Sequence, residues 1–297
     1  MFEKVEFKTG DGTILRGRVY RPENATAPTP IVVMCGGFGS IVEVLLEPFA
    51  LRFAEAGLAV LLYDHRNFGY SDGPIRQETD PFQQVADLRD AVTFAQGLPG
   101  IDPERVGAWG SSYSGGHVLF LAATDRRVKC VVSQVPFISG SETMARNVRP
   151  DFLGMTRSMF AADRAARMAG QAPMLMPLVT AEPLQPAVLP SPDAYEFTVK
   201  HMEGAPTFQN AVTVRSMELA GAYEPGAYIA GVSPTPLLMI VGLEDAVTVP
   251  DLALEAYERA NQPKELVLLK GGHFDPYVKE FEVAGGAATN WFARHLL

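Results

Sequence analysis

Cysteine is scarce in this chain, with Cys35 and Cys130 the two in 297 residues. Two isolated thiols make no disulfide framework. Both lie in apolar, strand-like runs, "IVVMCGG" and "VKCVVSQV", where cysteine acts as a small buried hydrophobe. There are five histidines, and neither they nor the cysteines fall at metal-ligand spacings. Clusters of Lys and Arg are absent and the formal net charge is −9. Polyphosphate binding needs grouped positive charge, so nucleic acid and anionic membranes are disfavoured as partners. No apolar run is long enough to cross a bilayer. The N-terminal "MFEKVEFKTGDG" is charged and strand-like, unlike a signal peptide. A cytoplasmic protein is the expectation, with homodimerisation left open.

What is present is a large apolar fraction, 47%, against 20% charged residues. That balance and length suit one large α/β domain, or one domain with a sizeable insertion. "VEFKTGDGTILRGRVYRP" alternates apolar and polar residues about Gly10-Asp11-Gly12, which predicts a hairpin. "ATAPTP" reads as a short linker. The run "PIVVMCGG" has the continuous β-branched character of a strand buried on both faces. "IVEVLLEPFALRFAEAG" has helical spacing and stops at Gly57. "LAVLLYD" is a second buried strand, "DPFQQVADLRDAVTFAQGLPG" an amphipathic helix opened by Asp80-Pro81, "RVGAWG" a third strand, "HVLFLAATD" a helix and "VKCVVSQVP" a further strand.

Such alternation predicts a mostly parallel sheet with helices on both faces. It lapses between Phe137 and Pro234 and resumes with "PLLMIVG", "VPDLALEAYERAN", "KELVLLKGG" and "GGAATNWFARHLL". Residues 1–136 and 235–297 therefore read as the core, and 137–234 as an inserted helical cap over the carboxyl edge of the sheet. A structureless loop of that length would be unusual. Eight of the eleven methionines fall between Met144 and Met217. They fill the cap's own core, line a pocket, or do both.

In open α/β sheets, sites form beyond the carboxyl ends of the strands. There "VGAWGSSYSGGHVLF" places three serines in a knot of small residues between a strand and a helix. A nucleophile on such a sharp turn needs small neighbours two positions before and after it. Ser112 has Gly110 and Ser114; Ser114 has Ser112 and Gly116. The apolar strand ends at Gly110, which puts Ser112 at the turn and Ser114 in the first helical turn, so Ser112 is favoured over Ser114 and Ser111. A serine hydroxyl needs a base. His273 sits on a Gly-flanked loop after the strand "ELVLLKGG" and is the candidate; structural roles are expected for His65, His117, His201 and His295. The base needs an orienting carboxylate. "LLMIVGLEDAVTVP" offers Glu244 and Asp245, of which Asp245, farther into the loop, is preferred. For the oxyanion, the Tyr113 N–H lies at a helix N-terminus, and the Gly-rich "CGGFGS" contributes Phe38 N–H.

These blocks, with "YDHRNFGYSDG", "IDPERVGAWGSSYSGG", "VGLEDAVTVP" and "GGHFDPY", resemble successive segments of the α/β-hydrolase superfamily. The order Ser112, Asp245, His273 is that superfamily's order. The closest resemblance is to dienelactone-hydrolase and prolyl-peptidase-related serine esterases, a group that includes polyketide transferases and thioesterase-like enzymes. Three departures stand out, besides Asn67 where the turn after the fourth strand usually has Gly. Ser114 stands where many relatives have Gly, Gly36 where many have His, and Ser112 where dienelactone hydrolases proper have Cys, so lactone specificity does not carry over. The resemblance implies a Ser-His-Asp acyl hydrolase or acyl transferase that works on an ester or thioester without a cofactor, and the Met-rich segment suggests an apolar acyl or aromatic substrate. The alternatives are an acyltransferase moving a polyketide-like acyl group to an alcohol, and a non-catalytic small-molecule binder on the same fold. A proline-directed peptidase is weaker, since no carboxylate pair for a substrate amine announces itself.

Overall fold

The computed structural model describes residues 1–23, 28–182 and 185–297. Strands β1 (Phe2–Lys8) and β2 (Ile14–Tyr20) form the expected hairpin, paired from Phe2–Tyr20 to Lys8–Ile14. Asp11 shapes its turn: Oδ1 accepts from Thr9 Oγ1 at 2.7 Å and from Thr13 N–H at 3.1 Å, as short polar side chains do in turns. Of the expected linker, residues 25–27 lie outside the described residues, and Thr29 and Pro30 already belong to β3 (Thr29–Cys35).

The chain then alternates: α1 (Glu47–Glu55), β4 (Ala59–Tyr63), α2 (Pro81–Gln96), β5 (Ile101–Ser111), α3 (Tyr113–Thr124) and β6 (Val128–Gln134). The segment between Gln134 and Leu237 holds α4 (Gly140–Asn147), α5 (Leu153–Met168), β7 (Leu175–Met176), α6 (Pro192–His201), β8 (Val212–Thr213) and α7 (Val214–Gly221). The short antiparallel pair β7–β8 was not anticipated from the sequence. Then β9 (Leu237–Gly242), α8 (Pro250–Arg259), β10 (Lys264–Leu269) and α9 (Phe281–Leu296) complete the chain. The eight-stranded sheet has the order β1-β2-β4-β3-β5-β6-β9-β10, antiparallel at β1–β2 and β2–β4 and parallel elsewhere.

The period of two along a strand explains why its centre is apolar throughout. In β3, Ile31, Val33 and Cys35 enter one core cluster, with α2, α3 and α8 residues such as Leu88, Leu119 and Leu252. Val32 and Met34 enter the other, with Phe49 and Phe53 of α1 and Phe292 of α9. A strand buried on both faces cannot alternate polar and apolar residues. Both thiols are fully buried, and burial pushes Cys35 up to about 12, so it behaves as an inert hydrophobe.

One helix is shorter than its periodicity suggests. Residues 41–46 form a loop, and α1 begins only at Glu47, with Pro48 in its first turn. Proline has no N–H and suits a helix start. Upstream, Leu45 has φ +49, and the Val42 N–H donates to Asp64 Oδ1 at 2.7 Å instead of to a helical carbonyl. The apolar residues keep their burial, since Val42 and Leu46 join the core beneath the sheet and Ile41 and Val44 a cluster with residues between Gln134 and Leu237.

Polar clasps tie that segment to the core. Glu43 accepts from Thr207 Oγ1 at 2.6 Å and from Tyr70 OH at 2.8 Å. Arg146 pairs with Asp251 at 2.8 Å and Arg215 with Glu78 at 2.6 Å. The methionines divide as their positions dictate: Met176 and Met202 are buried in the cluster shared with Ile41, Val44 and Phe68, Met144 and Met217 line a cavity, and Met155, Met168 and Met174 are exposed.

Candidate active site

Strand β5 delivers the chain to Ser112, whose backbone (φ 59°, ψ −121°) is a conformation that L residues rarely adopt. Such a residue costs ~1–3 kcal/mol and persists only where its surroundings over-determine it. Here they do. The Ser112 N–H donates to the Gln134 carbonyl, and the Ser112 carbonyl accepts from Phe137 N–H, each at 2.9 Å. A Cβ on Gly110 would collide with the Ser114 backbone, so the residue two before the turn must be glycine. On Gly37 a Cβ would come within 2.8 Å of Ser112 Cβ, and this close approach lets the "CGGFGS" loop lie against the serine.

The three residues expected to act together meet at the carboxyl edge. His273, on the loop after β10, places Nε2 2.9 Å from Ser112 Oγ and Nδ1 2.7 Å from Asp245 Oδ2. A carboxylate only accepts, so Nδ1 carries the proton and Nε2 faces the serine as an acceptor. Asp245 is itself held. Its Oδ1 accepts from the N–H groups of Val247 at 2.8 Å and Thr248 at 2.7 Å. The Thr248 hydroxyl lies 2.9 Å from both Asp245 Oδ2 and the Val135 carbonyl, and 3.2 Å from His273 Nδ1. His273 and Asp245 are 2% and 4% exposed, whereas Ser112 is half-buried at the cavity floor. Glu244, the rejected alternative, is exposed.

Phe38 and Tyr113 flank Ser112, their rings meeting edge-on at 5.0 Å between centroids. Neither backbone N–H donates to an acceptor within the described residues. Tyr113 opens α3, so its N–H also carries the positive end of the helix dipole.

Ser114 is turned away from the cavity into the protein interior. It is buried, with its hydroxyl donating to the Gly36 carbonyl and lying 2.9 Å from His65 Nε2. Burial lowers His65 to about 4, so it is neutral near pH 7. His117 is driven well below its ordinary value, chiefly by burial, and bridges Tyr223 OH and Gln84 Oε1. His201 and His295 lie away from Ser112 on α6 and α9. Asn67, in place of the usual glycine, sits at φ 72°, a region asparagine tolerates. Its amide donates to the Glu78 carbonyl at 2.9 Å. Beside it, Arg66 makes a buried fork to Asp87 at 2.6 and 2.5 Å and reaches Asp11 at 2.8 Å.

Sequence reasoning missed Thr248 and the link from Gly36 through Ser114 to His65. Thr248 had a readable signal, since Asp followed by Thr three residues later favours side chain–backbone bonds of this kind. The second had none, because its members are far apart in the chain.

Two cavity lobes meet at Ser112. One, of about 110 Å³, opens between Phe137, Tyr113 and helices α4 and α7. The other, about 60 Å³, opens beside His273, Phe274 and α6. None of the described residues in either wall is acidic or a lysine or arginine. Among the described residues no group of His, Cys, Asp and Glu is placed to hold a metal ion, and no helix is long and apolar enough to cross a membrane.

A mostly parallel sheet ending in a strained serine turn at its carboxyl edge defines an α/β hydrolase. Within that class, the chain belongs to the X-Pro dipeptidyl-peptidase (S15) family, whose model matches residues 11–275. It is 35% identical over 271 residues to the thiohydrolase aneE of Aspergillus aculeatus, covering 89% of this chain and 84% of that one. It is 30% identical over 286 residues to the polyketide transferase claH of Penicillium crustosum, covering 94% and 92%. The crystal structure of the α/β hydrolase GrgF from Penicillium sp. sh18 superposes with a TM-score of 0.87 at 27% identity, over 100% of this chain and 99% of that one.

Proposed function

We propose that the protein is a serine acyl hydrolase that cleaves carboxylic esters or thioesters of an apolar acyl or aromatic group. The observation that carries this reading is the contact of His273 Nε2 with Ser112 Oγ at 2.9 Å, with Nδ1 anchored on Asp245 at 2.7 Å. Ser112 attacks the acyl carbonyl while His273 takes its proton. Asp245 holds the imidazole tautomer and stabilises the imidazolium that forms. The N–H groups of Phe38 and Tyr113 receive the developing oxyanion, and losing one such donor costs ~3 kcal/mol in barrier. His273 then protonates the leaving group, and water activated by the same imidazole releases the acyl group.

Residues 137–234 act in this reading as a cap over a core of 1–136 and 235–297, and they form most of the apolar wall of the larger lobe. The names thiohydrolase and polyketide transferase, borne by the two relatives, agree with chemistry at an acyl carbonyl. The cavity walls argue against an aminopeptidase-like use of the site, because they offer no carboxylate to a substrate ammonium. Buried free thiols and an acidic surface suit a cytoplasmic setting.

A fluorophosphonate probe tests the assignment. It should label the wild-type protein at Ser112, and Ser112→Ala should lose both the label and hydrolysis of p-nitrophenyl esters. Undiminished labelling of Ser112→Ala overturns it.

A further inference from the structure

Both lobes of the cavity reach Ser112, but His273 is in the wall of one only. That difference assigns them. In a tetrahedral intermediate the acyl carbon carries four groups: Ser112 Oγ, the oxyanion, the acyl chain and the leaving heteroatom. The oxyanion points at the N–H groups of Phe38 and Tyr113. The leaving heteroatom has to come within hydrogen-bond reach of His273 Nε2, which returns the proton. The smaller lobe is where that can happen. The acyl chain is left with the larger lobe, among Phe137, Met144, Met217 and Ala220.

We propose that the larger lobe is the acyl subsite and that the smaller lobe binds first the leaving group and then an acceptor. The acceptor class is an uncharged alcohol or thiol with a compact apolar group, which competes with water for the acyl-enzyme. This rests on Ser112 being the nucleophile. The walls support the acceptor class. Phe197, Phe274, Leu178 and Met202 surround the lobe, and the Tyr277 hydroxyl there is occupied by Ser111 Oγ at 2.6 Å. The only ionisable side chains among the described lining residues are His273 and Tyr277. Such a surface gains by burying apolar area and offers a lone water few partners. The volume of about 60 Å³ is room for more than one water molecule.

The chemistry closes without a further reactant. In the first half-reaction the bond between Ser112 Oγ and the acyl carbon forms, and the carbon–heteroatom bond breaks. The Ser112 proton passes through His273 Nε2 to the departing alcohol or thiol. In the second, the acceptor gives its proton to His273 and bonds the acyl carbon through its oxygen or sulfur. The bond to Ser112 breaks, and the proton returns to Oγ.

The experiment supplies vinyl butyrate and vinyl octanoate, whose leaving group is small, and adds 1-butanol or methanol at equal concentration. Intact-protein mass reports the acyl-enzyme, and gas chromatography the ester and acid products. The expected result is saturable formation of butyl ester, with a butanol-to-water partition ratio ~10-fold above that of methanol. Thr198→Leu, which narrows the smaller lobe from α6, should cut the butanol ratio ~10-fold and keep the octanoate-to-butyrate preference. Ala220→Leu, which narrows the larger lobe from α7, should shift the preference ~10-fold towards butyrate and keep the butanol ratio. Equal, non-saturating partition to methanol and butanol overturns the proposal, as does the reverse pattern in the two variants. Ester and acid formation undiminished in Ser112→Ala overturns the nucleophile assignment itself, and this proposal with it.

Discussion

Replacing Ser114 by alanine should damage catalysis without touching a reacting atom. The Gly36 carbonyl can only accept, so the Ser114 proton goes to it and the hydroxyl oxygen accepts from His65 Nε2–H. That order fixes the His65 tautomer and leaves Nδ1 without a proton; Nδ1 has no partner among the described residues. Ser114→Ala strands a buried N–H and a buried carbonyl, at ~1–3 kcal/mol each. A melting temperature lower by several degrees follows, at ~2–4 °C per kcal/mol for a chain of this size. The catalytic effect has a separate origin. Gly36 lies two residues before Phe38, so a freed Gly36 carbonyl loosens the peptide that presents the Phe38 N–H. Complete loss of one oxyanion donor would be ~10²–10³-fold in kcat. A loosened donor should cost ~10–100-fold, with KM nearly unchanged, because the oxyanion exists only in the transition state. Steady-state kinetics on a p-nitrophenyl ester, alongside thermal melting, read the two effects independently. A lower melting temperature with wild-type kcat would show that the link supports the fold alone and refute its part in aligning Phe38.

Three further outcomes are expected. Thr248→Val removes the hydroxyl beside Asp245 Oδ2 and His273 Nδ1; kcat should fall ~10-fold at constant KM, in line with ~1–2 kcal/mol for one buried hydrogen bond, and unchanged kcat would show that the backbone N–H groups suffice. Arg66→Ala leaves the buried Asp87 carboxylate unpaired; urea unfolding should show a loss of ~3–5 kcal/mol, and a loss under 1 kcal/mol would contradict the pairing. For pH, His65 is held near 4 by burial against an ordinary 6.5. The unfolded chain therefore takes up a proton that the folded one refuses, so this contribution is complete above pH 6.5 and disappears as pH falls to about 4. It amounts to ~3 kcal/mol at ~1.4 kcal/mol per pH unit. Asp64, raised to about 6 by burial, has the opposite sign, since its cost as a buried carboxylate fades as pH falls from 6 towards 4. His65→Gln should flatten the acid limb of a stability–pH curve and Asp64→Asn should steepen it. Parallel curves for wild type and His65→Gln would refute the assignment.

Much of the architecture was legible because its signals are local. The hairpin followed from alternation about Gly10-Asp11-Gly12, and β3 and β4 from unbroken apolar runs. The serine turn followed from small residues at a strand-to-helix boundary. The start of α1 was misread because residues 41–46 have helical spacing but bury their apolar side chains from a loop, held by the distant Asp64. The pair β7–β8 is two residues long on each side, too short to leave a periodic trace. Ser112, His273 and Asp245 could be brought forward as candidates because each follows a strand end, where a parallel sheet gathers its loops.

The amino-acid sequence by itself determined the order of strands and helices in residues 1–136 and 235–297 and the turn that strains Ser112, since hydrophobic period and residue size act over a few neighbouring positions. Only the tertiary structure decided that Gly36, His65 and Ser114 form one chain of hydrogen bonds, that Thr248 braces Asp245, and that His273 faces one lobe and not the other. Those outcomes depend on distances of a few ångströms between segments far apart in the chain, and packing alone sets such distances.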